Sequence, residues 1–202
     1  MLTHVHGDHI AGFPYFVWNR NFERLGSAPA SDLDVYGQED VIEYAKYTLQ
    51  HCYPEITFPF KINFHLIESN DNFNCSDKLD VSVFSANHTV PCISCVIKSE
   101  GKKVTYSSDT LYNDKLVEAS NDADLLIHEG MMSCEMQALA NKVKHSMACD
   151  AGKFATLTRA KQLVLVHIAP NMIGKEAILL SEARNNYKGS ISVPHDGSVY
   201  II

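Results

Sequence analysis

The feature that most constrains this chain is its opening run, Met1-Leu2-Thr3-His4-Val5-His6-Gly7-Asp8-His9. His4, His6, Asp8 and His9 fall within six consecutive positions. Imidazole nitrogen and carboxylate oxygen are the donors that Zn²⁺ and similar borderline cations prefer. The order H-x-H-x-D-H lets four side chains converge from one tight turn, so the fold must hold that turn where further donors can reach it. A purification tag or a solvated histidine run would be more repetitive. This run instead passes straight into Ile10-Ala11-Gly12-Phe13, which reads as the start of a helix.

The 202 residues suit a single domain spanning 1–202, with enough chain for a substantial core. No apolar run approaches the length of a bilayer span, and the start lacks a basic-then-apolar leader, so a cytoplasmic protein with no membrane partner is expected. The net charge of −7 argues against polyanion binding through a broad basic surface. It leaves room for an anionic substrate, because bound cations reverse the local field. Cys52, Cys75, Cys92, Cys95, Cys134 and Cys149 are too sparse for a disulfide scaffold and are expected as reduced thiols. Cys92-x-x-Cys95 has no second such pair, and a strand would put its thiols on opposite faces, so plain packing is expected there.

Periodicity predicts a helix over residues 10–25, a turn-rich loop over 26–31 and a strand at 33–36. A helix over 38–53 follows, then strands over 61–67 and 79–86. Residues 92–98 and 102–106 read as a hairpin around Glu100-Gly101. The second half alternates: buried-type strands at 124–128 and 162–167, helices near 133–141, 147–157 and 175–185, and closing strands at 191–193 and 198–202 around Asp196-Gly197. Strands first, then strands alternating with helices, imply an α/β fold of sheets covered by helices.

Metal-competent residues recur where predicted strands end. His88 follows one strand, Asp109 follows Tyr106, and His167 ends the run Leu163-Val164-Leu165-Val166. Strand ends on one edge of an α/β sheet are where loops build sites. One edge could therefore gather His4, His6, Asp8, His9, His88, Asp109 and His167. Seven nitrogen and oxygen donors exceed one tetrahedral metal and suit two. No thiol is among them, which favours a catalytic site with open positions over a closed structural one. His128 is expected to be structural, and His51, His65 and His195 carry no pattern.

The run His4-Val5-His6-Gly7-Asp8-His9, followed in order by His88, Ser108-Asp109-Thr110 and Leu165-Val166-His167, resembles the metallo-β-lactamase superfamily. Four segments are similar to its ribonuclease Z branch: His88-Thr89-Val90-Pro91, residues 103–110, Leu126-Ile127-His128-Glu129-Gly130, and Lys144-His145-Ser146-Met147-Ala148. Met147 stands where that branch usually has threonine. The resemblance implies a four-layer αβ/βα sandwich. It also implies two divalent metals, Zn²⁺ first and Mn²⁺ or Fe²⁺ as alternatives. His4, His6 and His88 would hold one metal, Asp8, His9 and His167 the other, and Asp109 would bridge them. A hydroxide between the metals would attack phosphorus, with Asp8 accepting the water's proton. His145 would face the leaving group, oriented by Glu129. The substrate implied is a phosphodiester, a small molecule or an RNA 3′ end, cleaved by an endonuclease-like hydrolase.

Two departures shape the expectation. The tRNA-processing members carry a long arm between the residues matching His88 and Asp109, whereas only residues 89–108 separate them here. tRNA maturation is then not expected, and smaller phosphodiesters, including cyclic nucleotides, or sulfate esters stay open as substrates. The alternatives are hydrolysis of another ester (arylsulfatase-like, lactone or thioester) or an inactive, truncated binding protein. The family also places several strands before its first motif, and here three residues precede it. An incomplete first sheet is expected, with reduced stability or association as a homodimer.

Overall fold

In a computed structural model describing residues 1–22 and 31–202, the opening motif does not lead into one long helix. Its last residues are themselves helical: α1 spans Gly7–Ile10, and α2 spans Phe13–Phe22. The amides of His9 and Ile10 both donate to the His6 carbonyl, at 2.9 and 3.1 Å. The single helix expected over 10–25 is thus corrected to two. Pro14 explains the break, since it has no N–H to return to the Ile10 carbonyl and its ring would collide there. The last residues of that expected helix, and nearly all of the expected turn over 26–31, lie outside the described residues.

The chain divides into two compact units, Met1–Glu68 and Ser69–Ile202. In the first, β1 (Leu33–Gly37), α3 (Glu39–Cys52) and β2 (Ile62–Leu66) make a βαβ crossover. The strands pair in parallel from Leu33↔Ile62 to Gly37↔Leu66, and a parallel pair needs such a long connection. Val41, Ile42 and Ala45 form the apolar face of α3, packed with Ile10, Phe13, Val17, Val35 and Phe60. The Leu2 amide donates to the Tyr36 carbonyl at 2.8 Å, which anchors the start of the opening run beside β1.

The second unit is built on a seven-stranded sheet whose strands lie side by side in chain order. β3 (Asn72–Ser76), β4 (Leu79–Ser85), β5 (Ile93–Ser99) and β6 (Lys102–Tyr106) are antiparallel. After α4 (Asp114–Ala119), β7 (Leu125–Glu129) runs parallel to β6. A 3₁₀ turn (Cys134–Met136), α5 (Gln137–Val143) and α6 (Ala148–Leu157) lead to β8 (Gln162–Val166). A second 3₁₀ turn (Pro170–Met172) and α7 (Glu176–Asn186) lead to β9 (Ser190–Ser192), so β7, β8 and β9 are all parallel. Leu126, Leu163 and Leu165 are fully buried and pack in one cluster with Phe154 of α6 and Leu179 of α7. Each such leucine contributes about 1.5–3 kcal/mol of apolar burial.

Four expectations need correcting. β3 was not expected: Asn72-Phe73-Asn74-Cys75-Ser76 is mostly polar and lies at the sheet edge, where solvent tolerates it. The short α4 was not expected either; it is capped by the Asn113 side chain, which accepts from the Leu116 amide. No strand forms over 198–202: the Ser198 amide turns back to the His195 carbonyl, and Val199 and Ile201 stay exposed. Cys134 and Cys149 form a disulfide with Cα atoms 6.0 Å apart, so this pair is not the two reduced thiols expected. A pairing across fifteen residues leaves no mark on sequence periodicity. Cys92 and Cys95 are buried in packing, as read from the sequence, and burial pushes their thiols up to about 11 and about 12.

Candidate metal centre

In the first unit the opening motif gathers its own imidazoles. The His4 ring lies 4.8 Å from that of His6 and 4.0 Å from that of His9, centroid to centroid. The turn into α1 makes this possible, because it folds His9 back over His4. His4 is fully buried, and its Nδ1 meets the Thr3 hydroxyl at 3.1 Å. Asp8 is mostly exposed, with its Oδ2 3.5 Å from His9 Nε2.

In the second unit the donors stand just past the strand ends. Asp109 follows β6, and its Oδ2 is 3.4 Å from His167 Nε2, 3.9 Å from His88 Nε2 and 3.9 Å from His145 Nδ1. Asp109, His145 and His167 each offer a ligand atom within 4.8 Å of the others. The His145 ring stacks on His167 at 5.1 Å and meets His88 edge-on at 4.8 Å. The backbone is bent to achieve this. His167 itself, Ser108 before Asp109 and Lys144 before His145 all have positive φ, at 57°, 52° and 56°. Non-glycine residues held there cost of order 1 kcal/mol each, a strain that collects at functional sites.

Glu129 ends β7 and is fully buried. Its Oε1 accepts from the Thr110 amide at 2.5 Å, and its Oε2 lies 3.1 Å from His145 Nδ1. Burial pushes its carboxyl above the usual range, while the His145 ring and the Thr110 amide pull it back down. The carboxylate thus holds Nδ1 as the protonated ring atom. At Nδ1 His145 meets a carboxylate, where His88 meets the Lys144 carbonyl. His128, on the alternate side of β7, packs against Phe154 and donates from Nδ1 to the Glu129 carbonyl, a structural role as expected.

The donor set is imidazole and carboxylate throughout, which fits a hydrolytic divalent metal. Cys92, the nearby thiol, does not compete. Its Sγ is engaged elsewhere: it sits 3.3 Å from the Ser108 hydroxyl and donates to the Asp109 carbonyl at 3.6 Å, and burial raises its pKa. Three contributors escape sequence reasoning. The Thr110 amide and the Lys144 carbonyl are backbone groups, and Ser146 anchors its loop by donating from Oγ to the Thr110 carbonyl at 2.5 Å. Their signal was only as motif neighbours, Lys144 and Ser146 beside His145 and Thr110 beside Asp109.

Residues 1–168 match the model of a β-lactamase superfamily domain. The chain belongs to the metallo-β-lactamase superfamily. The curated proteins it is similar to are ribonucleases Z. It is 24% identical to ribonuclease Z of Oenococcus oeni, a match covering 100% of this chain and 77% of the relative. With ribonuclease Z of Bacillus subtilis the identity is 26%, over 95% and 76% of the two chains. The whole chain aligns with the Oenococcus protein over 255 residues, so the relative carries stretches that the 202 residues here lack. Among solved structures, the metallo-β-lactamase fold protein YhfI of Bacillus subtilis superposes with a TM-score of 0.78 at 22% identity, covering 98% of this chain and 75% of that one. The short form of human tRNase Z gives 0.75 at 22% identity, covering 100% and 77%. These superpositions bear out the metallo-β-lactamase fold expected from the sequence.

Proposed function

We propose that residues 1–202 form one metallo-hydrolase domain that cleaves phosphodiester bonds with two divalent metal ions, Zn²⁺ first among Zn²⁺, Mn²⁺ and Fe²⁺. His4, His6 and His88 would hold one ion, Asp8, His9 and His167 the other, and Asp109 would bridge the pair. The observation that carries this reading is the cluster of Asp109, His145 and His167 braced by buried Glu129. Bound ions lower the pKa of water toward neutrality and draw charge from phosphoryl oxygens. The chain's own residues supply the proton traffic. Asp8, exposed at the first turn of α1, accepts the proton of the attacking water. Water oxygen forms the new bond to phosphorus as the bond to the leaving alcohol breaks. His145, held through Nδ1 by Glu129, delivers a proton from Nε2 to the leaving oxygen. Glu129 stabilises the doubly protonated ring before transfer and fixes its orientation.

The substrate side of the reading is a small phosphodiester rather than tRNA. The segment between His88 and Asp109 is one tight hairpin, β5 and β6 joined at Glu100-Gly101, and the net charge is −7. An RNA 3′ end small enough to need no gripping arm remains within the class. A cytoplasmic location and a homodimer belong to the same reading. No helix among the described residues is long and apolar enough to cross a membrane. The Cys134–Cys149 bond would have to be reduced or transient in a reducing cytoplasm. Turnover of bis(p-nitrophenyl) phosphate against p-nitrophenyl sulfate, a lactone and a thioester is the test. Phosphodiester turnover supports the reading. Turnover of one of the others alone transfers it to that ester, and no turnover with no bound metal overturns it.

A further inference from the structure

Lys144 is the residue between α5 and His145, and it adopts a left-handed conformation, φ 56° and ψ 54°. A helix that ends this way normally uses glycine or asparagine, because a Cβ is strained there. The lysine makes two bonds to one partner. Its carbonyl lies 3.0 Å from His88 Nδ1, and its Nζ donates to the His88 carbonyl at 3.0 Å. A carbonyl can only accept, so His88 Nδ1 must carry the proton. In the neutral ring that leaves Nε2, the atom facing Asp109, with the lone pair a metal needs. The left-handed turn aims the carbonyl at the ring while the side chain reaches back to the same residue's backbone. His145 comes next in sequence, and its amide is fixed to the Ala140 carbonyl at 3.0 Å.

We propose that Lys144 is a positioning residue: it clamps His88 by ring and by backbone, fixes its tautomer, and ties a metal ligand to the loop that carries the leaving-group histidine. This rests on the reading of His88 as a ligand, but the clamp itself is a property of the metal-free chain. The ammonium bond helps offset the strain of the left-handed turn. Occupancy at His88 and placement of His145 are then coupled, because one residue serves both.

Three variants separate the clamp from backbone strain. Lys144→Gly relieves the left-handed strain but removes the ammonium, Lys144→Ala removes the ammonium and keeps the strain, and Lys144→Arg keeps a cationic donor. In the metal-free protein, long-range ¹H–¹⁵N spectra report the His88 tautomer directly. The wild type and Lys144→Arg show a single Nδ1–H form, while Lys144→Gly and Lys144→Ala show a mixture. Zn²⁺ affinity, by dye competition, falls about tenfold in the Gly and Ala variants, because without the ammonium the residue-144 carbonyl that partners the ligating ring is no longer held against Nδ1. Bis(p-nitrophenyl) phosphate turnover falls in kcat with little change in KM, and Lys144→Arg recovers most of it. An unchanged tautomer and unchanged Zn²⁺ affinity in Lys144→Gly overturn the proposal, as does a folded Lys144→Arg protein as impaired as Lys144→Ala. A wild type that shows the Nδ1–H tautomer yet binds no metal overturns the metal reading and leaves the clamp standing.

Discussion

A fully buried glutamate is an expensive residue, and Glu129 keeps its place because both oxygens are used. Glu129→Gln retains an oxygen for the Thr110 amide but loses the charge that supports protonated His145. We expect kcat on bis(p-nitrophenyl) phosphate to fall about tenfold or more, and His145→Ala to cost about 10²–10⁴-fold, the usual worth of a general acid. An unchanged kcat in His145→Ala would remove that residue from the mechanism. His128 makes a separate prediction at this scale. Burial lowers its pKa from 6.5 to about 4 in the folded protein. Below pH 6.5 the unfolded chain takes up a proton that the folded chain refuses, so stability is full above that pH and is lost as pH falls toward 4. The loss approaches about 3 kcal/mol. In urea titrations with EDTA at pH 7 and pH 4.5, His128→Gln should show a smaller drop than the wild type; equal drops contradict it. Side-chain donors were legible in the sequence because their chemistry is written in their type. Lys144 was legible only as part of a loop motif, since its role runs through a carbonyl and a left-handed turn.

At the scale of elements, strong periodicity was enough to locate α3, α6, α7, β7 and β8. It failed where neighbours or solvent decide. The polar edge strand β3 forms because β4 offers a ladder, and the tail over 198–202 stays irregular because it finds no strand partner among the described residues. Pro14 was visible in the sequence, yet the apolar stripe on either side of it masked the break between α1 and α2. The α6–α7 packing turns on one glycine. A Cβ on Gly152 would fall inside van der Waals contact of the Ala183 carbonyl and Cα. Both atoms are backbone, so one helix must move. Gly152→Ala should destabilise the protein by about 1–3 kcal/mol, the usual cost of overpacking. Thermal melting checks this, and a melting temperature equal to the wild type's would contradict it. The Cys134–Cys149 bond was invisible for a different reason, since sequence spacing alone does not say which thiols meet.

For the molecule as a whole, the proposed ligand set draws on both compact units. Met1–Glu68 carries His4, His6, Asp8 and His9, and Ser69–Ile202 carries His88, Asp109 and His167. The order of these residues along the chain made the superfamily legible, because that order reflects which strand ends carry donors. The division into units was not legible, since no linker composition marks residue 68. The central claim is that the two sets act together on a pair of metal ions in phosphodiester hydrolysis. Metal content by plasma mass spectrometry, measured alongside bis(p-nitrophenyl) phosphate turnover for the wild type and Asp109→Ala, tests it most directly. The account predicts two divalent ions per wild-type chain, with both metal content and turnover lost in Asp109→Ala. A wild type without stoichiometric metal, or an Asp109→Ala protein that turns over at the wild-type rate, would contradict it.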